Sequence, residues 1–77
     1  MKLNEAIAKR LETIFQAREL TAYKVAKLGG VSKQVICSIL KCEYKKISID
    51  VIYQITATLD MSLEEFFSDP MFRDISD

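Results

Sequence analysis

Residues 21–41 read TAYKVAKLGGVSKQVICSILK, and the spacing within them predicts two short helices broken at Gly29-Gly30. Thr21 stands where it can cap the first helix, whose apolar positions are Val25, Ala26 and Leu28. Ser32 stands where it can cap the second, with Val35, Ile36, Ile39 and Leu40 on its apolar side. A hydroxyl oxygen at such a position accepts a hydrogen bond from a first-turn amide that has no partner inside the helix. The connection is only a few residues long. Glycine takes positive φ without steric cost, so Gly30 is the expected point of reversal and Val31 the expected plug of the turn.

On the N-terminal side, Asn4 can cap a preceding helix, and Ile7, Leu11, Ile14 and Phe15, then Arg18, follow three-and-four spacing along one buried stripe. Lys9, Arg10 and Glu12 are read as solvated. Leu20, just before the Thr21 cap, can pack back as a hydrophobic staple. On the C-terminal side, residues 42–46 read as an exposed loop and Ser48 as the cap of a fourth helix. That helix has the stripe Ile49, Ile52, Ile55, Thr56 and Leu59, and Asp60 ends it. Thr56 is expected to satisfy its hydroxyl on the preceding turn. Ser62-Leu63-Glu64-Glu65 fits a capping box opening a short fifth helix with Leu63, Phe66 and Phe67, and Pro70 stops it. The pattern predicts an all-α, compact five-helix bundle. It forms a single domain over 1–77, with a core at about 4–68 and a C-terminal tail at 69–77 that still carries Met71, Phe72 and Ile75.

The chain is 77 residues long and 49% hydrophobic, with one Pro and two Gly, a balance that favours a packed helical domain over disorder. No apolar run approaches the roughly 20 residues needed to span a bilayer. Residues 1–4 lead straight into an amphipathic pattern without a signal peptide's apolar block, so a cytoplasmic location and no membrane partner are expected. Cys37 and Cys42, with no His in the chain, cannot complete a four-ligand zinc site. Five residues apart on one helix they could not bridge either, and they are read as reduced thiols. No nucleophile is paired with a base and no glycine loop could cradle phosphate, so neither an enzyme nor a cofactor or small-molecule ligand is expected.

The net charge is zero, but it is divided along the chain. Residues 1–49 hold ten basic and four acidic side chains, a balance of +6, while residues 50–77 hold one basic and seven acidic, a balance of −6. Phosphate attraction depends on local charge more than on the total, so the basic part can meet nucleic acid while the acidic part faces away. A tight glycine-containing turn between two short helices is the helix-turn-helix signature. In that motif the second helix enters the DNA major groove.

The run Arg10-Leu11, Arg18-Glu19-Leu20-Thr21, Val25-Ala26, Gly30-Val31-Ser32, Ile36, Ile39, then Ile52, Ile55, Leu59, Ser62-Leu63 and Phe66-Phe67 resembles the Cro/lambda-repressor-type helix-turn-helix family, also called XRE. The resemblance covers roughly residues 7–67. It implies the lambda-repressor-like fold of five helices, of which the second and third form the motif. It further implies a homodimer on palindromic operators and a role in bacterial or phage transcriptional regulation. Three positions depart from the family's habit. Ala22 stands where a Gln commonly donates to a backbone phosphate, Cys42 stands where the third helix is usually followed by Gly, and Cys37 occupies an outward position more often polar or charged.

With the third helix in the groove, Lys33, Gln34, Cys37 and Ser38 are the candidate base contacts. Lys33 can donate to guanine O6 and N7, Gln34 can pair bidentately with adenine, and Cys37 can pack on a thymine methyl. Each of these has a plainer reading as a solvated or spectator side chain, and a redox role for either thiol would need a lowered pKa and exposure. Thr21, Tyr23, Lys24 and Ser32 on one flank, and Lys41, Tyr44, Lys45 and Lys46 on the other, are the candidate phosphate contacts. Such contacts position a protein without reading sequence. Phe67, Met71, Phe72 and Ile75 are read either as cover for the core or as dimer contacts. The leading reading is sequence-specific binding of double-stranded DNA by a small regulator, a repressor reading operator half-sites. The alternative is a protein-interaction module of the same fold, an antitoxin or an adaptor whose partner is another protein.

Overall fold

The computed structural model describes residues 1–76, and its elements follow from caps and stripes in chain order. They are α1 (Leu3–Ala17), α2 (Ala22–Leu28), α3 (Lys33–Leu40), α4 (Ile49–Thr58) and α5 (Leu63–Phe67), closed by a 3-10 turn over Pro70–Asp74. There is no strand among the described residues. The caps at α2 through α5 are those the sequence announces. Thr21 Oγ1 accepts from the Lys24 amide at 3.1 Å, Ser32 Oγ from Val35 at 3.2 Å, Ser48 Oγ from Asp50 at 3.2 Å and Ser62 Oγ from Glu65 at 3.0 Å. Glu65 Oε1 accepts in return from the Ser62 amide at 3.3 Å, closing the capping box.

The apolar stripes converge on one core built of Ile7, Leu11, Ile14 and Phe15 from α1, Val25, Val31, Ile36 and Ile39 from the motif, Ile52, Ile55 and Leu59 from α4, and Phe66. Leu20 packs against it as a staple should. Thr56 is buried within α4 and donates its hydroxyl to the Tyr53 carbonyl at 3.0 Å. α3 lies against α1 and α2, α4 against α2 and α5, and the 3-10 turn returns onto α1.

Four sequence readings need correction. Asn4 is not a cap. α1 starts two residues earlier, from a cap at Lys2, whose amide donates to Glu5 Oε1 at 2.8 Å. Ile49 is not in the buried stripe, because the first residue of α4 projects past the end of the core and is 57% exposed. Arg10 is not simply solvated. Its Nε donates to the Phe66 carbonyl at 2.9 Å and its Nη2 to Glu65 O at 3.1 Å, its Nη1 lies 3.8 Å from Asp69 Oδ2, and its guanidinium sits 5.9 Å from the Phe66 ring centre.

Finally, neither glycine takes positive φ. Gly29 ends α2 in an extended conformation, and a Cβ there would fall 2.0 Å from Thr58 Oγ1 on α4. Its missing side chain serves a close approach between α2 and α4. The left-handed conformation occurs instead at Glu19, Cys42 and Asp60, with φ of 55°, 58° and 57°. Each is the second residue past a helix, and each ending closes with paired backbone bonds. Leu20 N donates to Phe15 O at 2.8 Å, Glu43 N to Ser38 O at 2.9 Å, and Met61 N to Thr56 O at 2.9 Å.

Candidate nucleic-acid interface

α3 presents its first two residues, Lys33 and Gln34, to solvent. Ser32 has already satisfied the Val35 amide behind them. Among the described residues neither side chain is held by a hydrogen bond or an ion pair, and the Arg10–Asp69 pair is the sole ion pair. One turn on, Cys37 and Ser38 are half-buried, so they sit at the edge of the outward face where it meets the core. Lys41 closes the helix in the open. Residues 32–41 contain no acid, and the apolar partners Ile36 and Ile39 are buried on the opposite side.

Two basic flanks stand beside this face in the chain. At the start of α2, Tyr23 and Lys24 are exposed. Lys24 Nζ lies 3.5 Å from the Glu19 carbonyl, and Lys27 Nζ sits 5.1 Å from the Tyr23 ring centre. After α3, Tyr44, Lys45 and Lys46 are exposed in the loop leading to the Ser48 cap. That loop is anchored. Cys42 turns it through its left-handed backbone, and Asn4 Nδ2 on α1 donates to the Tyr44 carbonyl at 3.0 Å.

Sequence reasoning missed Asn4 as the residue that fixes this basic loop. A signal was present, because Asn4 lies three residues before Ile7 and so continues the inward stripe with a polar side chain where an apolar one would be expected. Thr21 and Ser32 accept hydrogen bonds as caps, which leaves each hydroxyl proton free to be donated outward. Ala22 is half-buried at the start of α2 and offers no polar atom beyond its backbone.

The aromatics near the C-terminus are engaged with their own chain. Phe67 and Phe72 stack edge-on with centroids 5.0 Å apart, and both lie against the fully buried Phe66, at 4.9 and 5.9 Å. Met71 and Ile75 beside them are half-buried.

An all-α bundle with a capped helix-turn-helix, an acid-free outward α3 and basic groups before and after it defines a small DNA-binding domain. Residues 10–70, well over half the chain, match the Cro/C1-type HTH DNA-binding domain, and the chain belongs to that family of DNA-binding transcription regulators. No curated protein and no solved structure matches it.

Proposed function

We propose that this protein binds double-stranded DNA in a sequence-specific manner as a small transcriptional regulator, a homodimer that reads operator half-sites through α3. The observation that carries the reading is the outward N-terminal end of α3, where Lys33 and Gln34 are exposed and untied among the described residues in a stretch without acid. Gln34 is the principal base reader, matched to an adenine edge. Lys33 serves guanine or the adjacent phosphate, and Ser38 and Cys37 contact the groove from its margin.

Thr21, Tyr23, Lys24 and Ser32 hold the backbone on one side of the groove, and Lys41, Tyr44, Lys45 and Lys46 hold it on the other. Occupation of an operator that overlaps a promoter suffices to block transcription, so repression is the sign proposed. The test is selection from a random duplex pool followed by titration of the selected duplex. A palindromic sequence is expected, bound with a strong salt dependence. Recovery of no preferred sequence would reject the proposal, and capture of a protein partner in place of DNA would favour the interaction-module reading.

A further inference from the structure

The acidic half of the chain takes no part in the contacts assigned to DNA. From residue 47 to residue 72 there is no basic side chain, and the acids are Asp50, Asp60, Glu64, Glu65 and Asp69. Asp69 faces Arg10, but the other four are exposed and in no ion pair among the described residues. They border an apolar stripe. Ile49 and Tyr53, 57% and 59% exposed, and the exposed Ala57 recur every four residues along α4 and so share one side of it. The stripe ends in a hollow of about 440 Å³ lined by Tyr53, Ala57, Asp60, Met61, Ser62 and Glu65. Asp50 stands on the first turn of α4 beside Ile49, Asp60 and Glu65 stand in the wall of the hollow, and Glu64 precedes Glu65 on α5.

We propose that this face takes a basic amphipathic helix of another protein, laid along α4 with its apolar side on Ile49, Tyr53 and Ala57 and its cations against Asp50, Asp60, Glu64 and Glu65. Charge complementarity selects this occupant. Carboxylates without cations around an exposed apolar stripe attract a helix whose own stripe is flanked by lysine or arginine. An acidic helix is repelled, and a second copy of this face would bring the same carboxylates against them. The hollow suits one long basic side chain, whose stem lies on Tyr53, Ala57 and Met61 while its head group reaches Asp60 and Glu65. From Ile49 to Ala57 the stripe runs about 12 Å and the hollow extends it, so roughly three turns of the incoming helix cover it. None of these residues is among those assigned to DNA, so partner and duplex are held on separate surfaces. The inference goes beyond the DNA-binding proposal and does not rest on it.

The test is titration of a fluorescein-labelled model peptide, a leucine-striped helix with lysine flanks, with the full chain in the absence of DNA. Folding of each variant is verified by thermal melting. The peptide is expected to shift backbone amide resonances of residues 49–65, and its counterpart with glutamate in place of lysine is expected to leave them unmoved. Tyr53→Ala and the pair Asp60→Asn/Glu64→Gln are each expected to raise the peptide Kd by at least about fivefold, the pair also flattening its salt dependence. Glu12→Gln, which removes an exposed acid on α1, is expected to change neither. No binding at high micromolar concentration, shifts centred elsewhere, or unchanged affinity in Tyr53→Ala would overturn the inference. So would self-association of the wild type that Tyr53→Ala abolishes, since a second copy would then cover the face. Duplex binding is read separately, so failure here leaves the DNA-binding proposal standing, and failure to bind duplex leaves this one.

Discussion

Gly29 shows how one residue can matter for a reason its neighbourhood in sequence hides. A turn glycine suggests positive φ, whereas this one is extended and yields its space to Thr58 across the α2–α4 contact. The partner is 29 residues away in the chain, so local spacing could not reveal it. Gly29→Ala is expected to cost about 1–3 kcal/mol through overpacking, with partial recovery in Gly29→Ala/Thr58→Ala, measured by denaturant unfolding. Cys42 is the opposite case. The absence of Gly after α3 was legible, and the residue indeed takes the left-handed conformation with a side chain. Cys42→Gly is expected to raise stability by about 0.5–1 kcal/mol, a few degrees in Tm, since glycine removes a strain larger than the flexibility it adds. An unchanged or lower Tm would show that the Cys42 side chain makes compensating contacts. On the DNA side, Gln34→Ala is expected to lose about 1–3 kcal/mol of discrimination at a single base pair with little change in Tm.

At the scale of elements, α1 does more than supply an apolar stripe. Arg10 serves the carbonyl end of α5 and Arg18 Nη1 donates to the Leu59 carbonyl at the end of α4, so two cations of one helix close the negative ends of two others. Arg10 sits three residues after Ile7 and four before Ile14, a spacing that already points inward. Charge type outweighed position in the reading that placed it in water. Arg10→Ala is expected to destabilise the fold by about 1.5–3 kcal/mol, and Arg10→Lys to recover only part of this because a single ammonium cannot reproduce the forked contacts. Equal stability of Arg10→Lys and wild type in chemical denaturation would contradict that assignment. The helices themselves were legible because caps and stripes are local. Thr21, Ser32, Ser48 and the Ser62–Glu65 box all act within three residues of sequence. The inward position of Asn4 was legible from its spacing to Ile7, but its partner, the Tyr44 carbonyl 40 residues away, was not.

For the whole molecule, the even net charge conceals a basic N-terminal portion, and the structure refines what that portion offers. Arg10 and Arg18 are turned onto backbone carbonyls, so the eight remaining basic side chains of residues 1–49 are all lysines. The backbone that carries those near α3 is fixed by neutral anchors, the Thr21 and Ser32 caps and the Asn4–Tyr44 bond. Neutralisation of five phosphates by this surface would give a slope of log K against log salt of about −4.5. The fold and the identity of the outward α3 residues could be read from spacing, because one helix face must pack and the other must not. Which loops are fixed, and which apolar face is left open on α4, depend on contacts between distant segments. The central claim, that α3 reads DNA through Gln34, is tested most directly by titrating the selected duplex with wild type and Gln34→Ala over a range of salt. Gln34→Ala is expected to lose its preference at one base pair while keeping the wild-type salt slope. Equal affinity of the two proteins for every duplex, or a slope near zero for the wild type, would contradict it.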